Sequence, residues 1–244
     1  MPLKSGPADA SVALPAAIPV AIPAYLRDVY WWAYLHPNAV RLFERTWLVN
    51  LILWGNFDRL RDAALAELGT SINGPLLQIA CVYGNFTQCV AARLGKSGQL
   101  DVIDVAAIQL DNLRNKLQPD PRIRLHRQDA QLLSFPDASF ESTLLFFLLH
   151  EQPEDVRRAT LAEAHRVTKP GGKIIIVDYH QPRHSNPLRY LMRVVLKMLE
   201  PFALDLWREE ISTYLPAKSG ADAFHKTTYF GGLYQKVVIT KSSA

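Results

Sequence analysis

From residue 74 onward the apolar positions of this chain fall into short runs separated by longer, helically spaced patterns. The runs over 76–81, 99–104, 122–126, 142–148 and 173–179 read as strands. Between them, 86–94, 106–117 and 153–167 repeat apolar residues at helical spacing. That alternation predicts a parallel sheet with crossover helices. A helix over 187–199 and a hairpin over 226–240 complete the pattern. Before residue 74 the chain reads differently. Nine aromatic residues stand between Tyr25 and Phe57, and Pro37-Asn38 divides the stretch into helices over 25–35 and 38–54, with a third over 56–68 ending at Gly69. The expected organisation is a flexible Ala/Pro-rich tail over 1–24, an aromatic helical cap over 25–73 and an α/β domain over 74–244.

Composition narrows the class only a little. With 49% hydrophobic and 20% charged residues in 244, the chain is globular, not disordered. A net charge of +4 permits attraction to anionic lipid or small anions, and no nucleic-acid partner is expected. Cys81 and Cys89 are too few for a disulfide framework or a zinc site, which fits a reducing, cytoplasmic setting. Pro15, Pro19 and Pro23 interrupt the apolar core that a signal peptide would need. No apolar run approaches the ~20 residues of a spanning helix, so the chain is not expected to cross a membrane.

In an open α/β sheet, ligands bind beyond the carboxyl ends of the strands. Four segments bring polar groups there. Ala80-Cys81-Val82-Tyr83-Gly84-Asn85 follows the first strand and opens a helix. Asp104 closes the second strand, about 20 residues on, where an acid takes ribose hydroxyls. Asp129-Ala130 follows the third strand, and His150-Glu151 the fourth.

Two longer runs carry a family resemblance. Glu163-Ala164-His165-Arg166-Val167-Thr168-Lys169-Pro170-Gly171-Gly172, followed by Asp178, is similar to a segment of class I S-adenosylmethionine (SAM) methyltransferases. Asp129-Ala130, with Leu133-Ser134-Phe135-Pro136 and Ser139-Phe140 downstream, resembles a second segment of the same superfamily. The resemblance implies a doubly wound, mostly parallel α/β sheet with SAM bound by Gln78, Ala80, Val82, Tyr83, Gly84, Asp104, Val105, Asp129 and Ala130. Within the superfamily the chain resembles quinone-ring methyltransferases and, through Tyr30-Trp31-Trp32-Ala33-Tyr34-Leu35-His36-Pro37 and Ala80-Cys81-Val82-Tyr83-Gly84, the rhodoquinone biosynthesis (RquA) family. That likeness implies replacement of a ubiquinone methoxy group by an amino group donated by SAM, with a divalent metal such as Mn2+.

The loop departs from the superfamily pattern, acid-x-G-x-G-x-G. Gln78 stands at the acid position, and of the glycines only Gly84 remains. A β-branched Val82 disfavours the left-handed backbone a glycine allows, by roughly 1–2 kcal/mol. The loop must be shaped differently, or the ligand must sit differently. Repositioning of the SAM amine for transfer, drift with methyl transfer intact, and a non-catalytic SAM- and quinone-binding domain are the readings this leaves.

Chemistry on a quinone ring needs a base and a polarised carbonyl. His150, Asp178, Tyr179 and His180 are the catalytic candidates, and Asp178, His180 and Glu151 the oxygen and imidazole set suited to manganese or magnesium. Ordinary roles are open to each: His150 and Glu151 as helix caps, Asp178 as a loop acceptor. Tyr30, Trp31, Trp32 and Trp54 are candidates to cover the substrate ring. Trp and Tyr also favour lipid headgroups. Arg189, Arg193 and Lys197 recur at i, i+4 and i+8 of an otherwise apolar helix that would suit a lipid interface as well as domain packing. The chain is expected to sit peripherally at the inner face of a membrane.

Overall fold

The computed structural model describes residues 20–243; the flexible tail expected over 1–24 lies mostly outside them. Among the described residues seven strands form one sheet: β1 Pro75–Ile79, β2 Gln99–Asp104, β3 Ile123–Arg127, β4 Phe140–Phe146, β5 Thr168–Tyr179, β6 Ala223–Tyr229 and β7 Tyr234–Thr240. Their order is β3-β2-β1-β4-β5-β7-β6. The first five are parallel, and β7 runs antiparallel to β5 and β6. Helices α6 (Phe86–Ala91), α7 (Ala107–Lys116) and α8 (Glu154–Val167) are the crossovers. The order reverses between β1 and β4, which opens a crevice at their carboxyl ends.

The buried strands are apolar on both faces, and the two-residue period sorts them. Ile174 and Ile176 join one core cluster with Leu77, Ile79, Leu161 and Ala164. Ile175 and Val177 join the other, with Phe57, Phe86 and Phe146. Helix α8 carries Glu154 and Asp155 in its first turn and His165 and Arg166 in its last, matching its dipole. Pro170-Gly171-Gly172, which precede the strand expected over 173–179, lie within β5 as a bulge. Phe140 pairs with Thr168 and Ser142 with Lys173. Gly171 has φ +74°, and a Cβ on Gly172 would stand 2.8 Å from the Glu141 carbonyl oxygen.

The first two expected helices are four short ones. They are α1 Ala24–Asp28, α2 Trp31–Tyr34, α3 Pro37–Phe43 and α4 Thr46–Ile52, followed by α5 Phe57–Ala66. Apolar residues lie all round this stretch, so one straight helix could not bury Leu26, Tyr30, Ala33, Val40 and Leu53 together. The chain bends instead, at Pro37 and at Trp54-Gly55, where φ is +52° and +75° and the Asn56 amide donates to the Leu53 and Trp54 carbonyls. Helix α9 (Leu188–Leu199) buries only Met192 and Leu196.

Candidate active site

Two central strands end on strained backbone. Ala80, just past β1, has φ +74°, and Phe147, just past β4, has φ +53°. Both residues line a cavity of about 610 Å³ at the crevice, within the range of small-molecule sites. The left-handed backbone of the loop thus falls on Ala80 and on Gly84 (φ +75°), and Val82 avoids it.

The loop is held from outside instead of being wrapped by glycines. Tyr83 donates its hydroxyl hydrogen to the Ala33 carbonyl at 2.7 Å and accepts from the Gln109 amide. Its ring stacks on Tyr34. Lys116 donates to the Val82 and Gly84 carbonyls while pairing with Glu44, which follows α3. Tyr83 thus fastens this loop to α2, a role that no glycine could fill. Gln78, fully buried, turns inward and donates to the Ala80 carbonyl and the Thr87 hydroxyl. Neither Gln78 nor Gly84 lines the cavity, so both expected ligand contacts become supports of the loop; Ala80, Val82, Tyr83, Asp104, Val105, Asp129 and Ala130 do line it.

Asp104 accepts one N–H on each oxygen, from Cys81 and Ala106, both at 2.8 Å. A carboxylate has about four acceptor positions, so capacity remains for ribose hydroxyls. Burial pushes its carboxyl up to about 6, against the pull of those N–H groups. Asp129 faces the same cavity. This donor set suits the nucleoside part of SAM, with Val105 and Ala130 supplying small apolar walls.

A second cluster lies across the cavity. Nδ1 of His150 stands 2.9 Å from Asp178 Oδ1, and its Nε2 lies 3.8 Å from Glu151 and 4.0 Å from Glu200. Asp178 also accepts from the backbone N–H groups of Leu149, His150 and Tyr179. Burial would lower the His150 pKa, but the carboxylates of Asp178, Glu200 and Glu151 outweigh it and hold it at about 9. Burial pushes Glu151 up to about 8 although His150 opposes it. Burial raises Glu200 as well. The Tyr34 hydroxyl faces Glu151. His150, Glu151, Glu200 and Tyr179 all line the cavity, and Asp178 supports His150 from beneath.

Several expected residues lie elsewhere. Adjacent residues of a strand point to opposite faces, so Tyr179 reaches the cavity whereas Asp178 points beneath it. His180 turns toward the final hairpin, its ring nitrogen 2.9 Å from the Gly232 carbonyl. The expected metal set Asp178, His180 and Glu151 is therefore not brought together. Asp178 is engaged by backbone N–H groups, and among the described residues no three His, Cys, Asp or Glu side chains are placed to hold a metal ion. Tyr30 is wholly buried against Tyr34 and Phe202 and does not line the cavity; nor does the exposed Trp31. Trp32 and Trp54 do line it. Sequence reasoning missed Tyr34, Gln109 and Glu200. Glu200 directly follows the amphipathic helix 187–199, with no motif around it.

Comparison with known proteins agrees with this geometry. Residues 76–172 match the family described as "Methyltransferase domain". A demethylmenaquinone methyltransferase of Lysinibacillus sphaericus is 25% identical over 181 residues, 74% of this chain and 76% of the relative. A 2-phytyl-1,4-naphtoquinone methyltransferase of Nostoc is 25% identical over 158 residues, 64% of this chain and 68% of the relative. Among solved structures, an O-methyltransferase family protein of Burkholderia thailandensis superposes with a TM-score of 0.65 at 16% identity, covering 84% of this chain and 60% of that one. A SAM-dependent methyltransferase of Aquifex aeolicus gives 0.51 at 14% identity, covering 84% and 97%. The fold is that of the class I SAM methyltransferases.

Proposed function

We propose that the chain transfers a methyl group from SAM to a hydroquinone; the match of residues 76–172 to a methyltransferase domain and the similarity to quinone methyltransferases support this reading. The observation that carries this reading is the buried His150–Asp178 pair facing Glu151 and Glu200, across an aromatic-lined cavity from Asp104. SAM, when bound, supplies an electrophilic methyl group. Asp104 accepts hydrogen bonds from ribose hydroxyls, and its replacement by alanine is expected to weaken SAM binding roughly 10- to 100-fold, the worth of one or two hydrogen bonds to a charged group. Isothermal titration with SAM measures this; an unchanged affinity would place the cofactor elsewhere.

The aromatic walls hold the ring, and the cluster takes the proton of a ring hydroxyl. A phenolic hydroxyl has a pKa near ~10. A base that titrates between about 8 and 9 is well matched to it. On this reading kcat/KM rises roughly tenfold per pH unit below pH 8 and levels off above about pH 9. A profile flat across that window would remove the cluster from catalysis. The same raised values act on stability in the opposite sense. Each group keeps its proton in the fold after the unfolded chain has lost it. Its stabilisation is therefore full below the unfolded pKa and lost as pH rises, through about 8 for Glu151 and about 9 for His150.

The direct test is turnover with methyl-labelled SAM and a short-tailed quinone lacking one ring methyl, supplied reduced or oxidised. Label is expected only in the reduced reaction, because only the hydroquinone carries the hydroxyl that is deprotonated. Equal labelling in both would refute the base role.

A second reading is conversion of ubiquinone to rhodoquinone, the SAM amine replacing a ring methoxy group. One feature favours it: Gln78 stands where the superfamily has an acid and turns away from the cavity, leaving no carboxylate in that loop to hold the amine. The quinone methyltransferase relatives favour methyl transfer, and the manganese that the rhodoquinone reading implies does not suit the expected ligand set.

A further inference from the structure

The cavity has a mouth, and its rim is apolar. Leu51, Ile52 and Trp54 at one side and Leu199 at the other are each 41–65% exposed while lining the cavity. The two sides meet where the Trp54 indole N–H points to the Met192 sulfur at 3.2 Å. Further exposed apolar side chains stand on the same two helices. Trp47 of α4 is 60% exposed, and on α9 so are Tyr190 (73%), Val194 (57%) and Met198 (76%). Monomeric soluble proteins rarely leave so many neighbouring large apolar side chains in water.

On α9 the exposed residues Tyr190, Val194 and Met198 follow an i, i+4, i+8 row, and Arg189, Arg193 and Lys197 form the row beside it. Arg41 of α3 and Arg45, the residue before α4, are exposed as well. Among the described residues none of these five cations pairs with a carboxylate, although ion pairs are frequent elsewhere on the surface. An apolar face fringed by unpaired cations fits a surface that offers both hydrocarbon and negative charge. No described helix is long and apolar enough to cross a membrane, so such a surface would be met from one side.

We propose that the face made by α4 and α9 docks on an anionic lipid bilayer, with the cavity mouth between them opening into the lipid. The bilayer is the partner of the proposed site: an acceptor with a long apolar tail keeps that tail in lipid while its ring enters between Trp54 and Leu199. The inference rests on the quinone reading only for the identity of this acceptor. Docking itself follows from the face.

The test is co-sedimentation of the full chain with vesicles of phosphatidylcholine alone, or of phosphatidylcholine and phosphatidylglycerol in equal amounts. Binding is expected to the mixed vesicles, weakening with salt, and to be at least about tenfold weaker for the Trp47→Ser/Met198→Ser double variant. Neither residue lines the cavity, so thermal stability and turnover of a short-tailed hydroquinone should be unchanged. A wild-type chain that ignores mixed vesicles, or a variant that binds them equally well, overturns the proposal. So does a sedimentation mass of two chains that falls to one in the variant, since a second copy would then cover the face. Failure of hydroquinone methylation would sink the functional reading and leave the vesicle result standing.

Discussion

Replacing His150 by alanine is expected to lower kcat roughly 100- to 10,000-fold, the usual contribution of a positioned general base. His150 is buried, aligned by Asp178 and faces the cavity. SAM affinity should change little, because Asp104, Val105, Asp129 and Ala130 belong to the end of β2 and the loops after β2 and β3. Asp178→Asn gives the complementary result. It keeps the shape but removes the main charge that holds His150 at about 9, so the rise of kcat/KM shifts to lower pH. A merely structural Asp178 would lower activity without moving the profile. Retention of more than half of wild-type kcat in His150→Ala would transfer the base role to Glu151 or Glu200.

Arg157→Ala should be the most destabilising single change near the site, by about 3–5 kcal/mol. Arg157 lies in the first turns of α8 and is completely buried. Its guanidinium donates to the carbonyls of Leu149, Gln152 and Phe202 and lies 4.7 Å from the centre of the Tyr214 ring. Leu149 and Gln152 bracket His150-Glu151, and Phe202 lies just beyond Glu200. One side chain thus clamps both segments that bring acid–base groups to the cavity. Truncation strands buried carbonyls and loosens both segments together. At roughly 2–4 °C per kcal/mol for a chain of this size, Tm should fall by about 10 °C or more. Arg157→Lys keeps the charge, but a compact ammonium cannot reproduce the planar fork, and an intermediate loss is expected. A Tm within about 2 °C of wild type for Arg157→Ala would show that the clamp carries little load.

The parts of this molecule legible in its sequence are those governed by local period and spacing. The apolar runs place β1, β2, β3 and β4 within a few residues and the end of β5 at Tyr179, although β5 begins earlier, at Thr168; Asp104 stands at the end of β2 as its distance from the loop requires. Limits of the strands were harder to read, because β1 and β4 stop where Ala80 and Phe147 turn left-handed, and neither residue type announces such a turn. His180 was misplaced for a related reason. Strand parity puts 178 and 180 on one face only while the strand continues, but β5 ends at Tyr179 and His180 follows the hairpin. Tyr83 reads in sequence as a ligand contact, and its role in fastening the loop does not show there. Its partners, Ala33 and Gln109, are 50 and 26 residues away, and only the tertiary structure shows the contact. Arg157 reads in sequence as one more charged residue of an amphipathic helix, since nothing local records which carbonyls it meets.

The most direct test of the central claim is mass spectrometry of the quinone formed from doubly labelled SAM, carbon-13 in the methyl group and nitrogen-15 in the amine. Reduced acceptors should be supplied both with and without a ring methoxy group. Methyl transfer predicts a product heavier by one labelled methyl, free of nitrogen-15, and absent from His150→Ala. A product that has lost methoxy and gained nitrogen-15 would contradict it, and would make the altered loop the seat of an amino transfer.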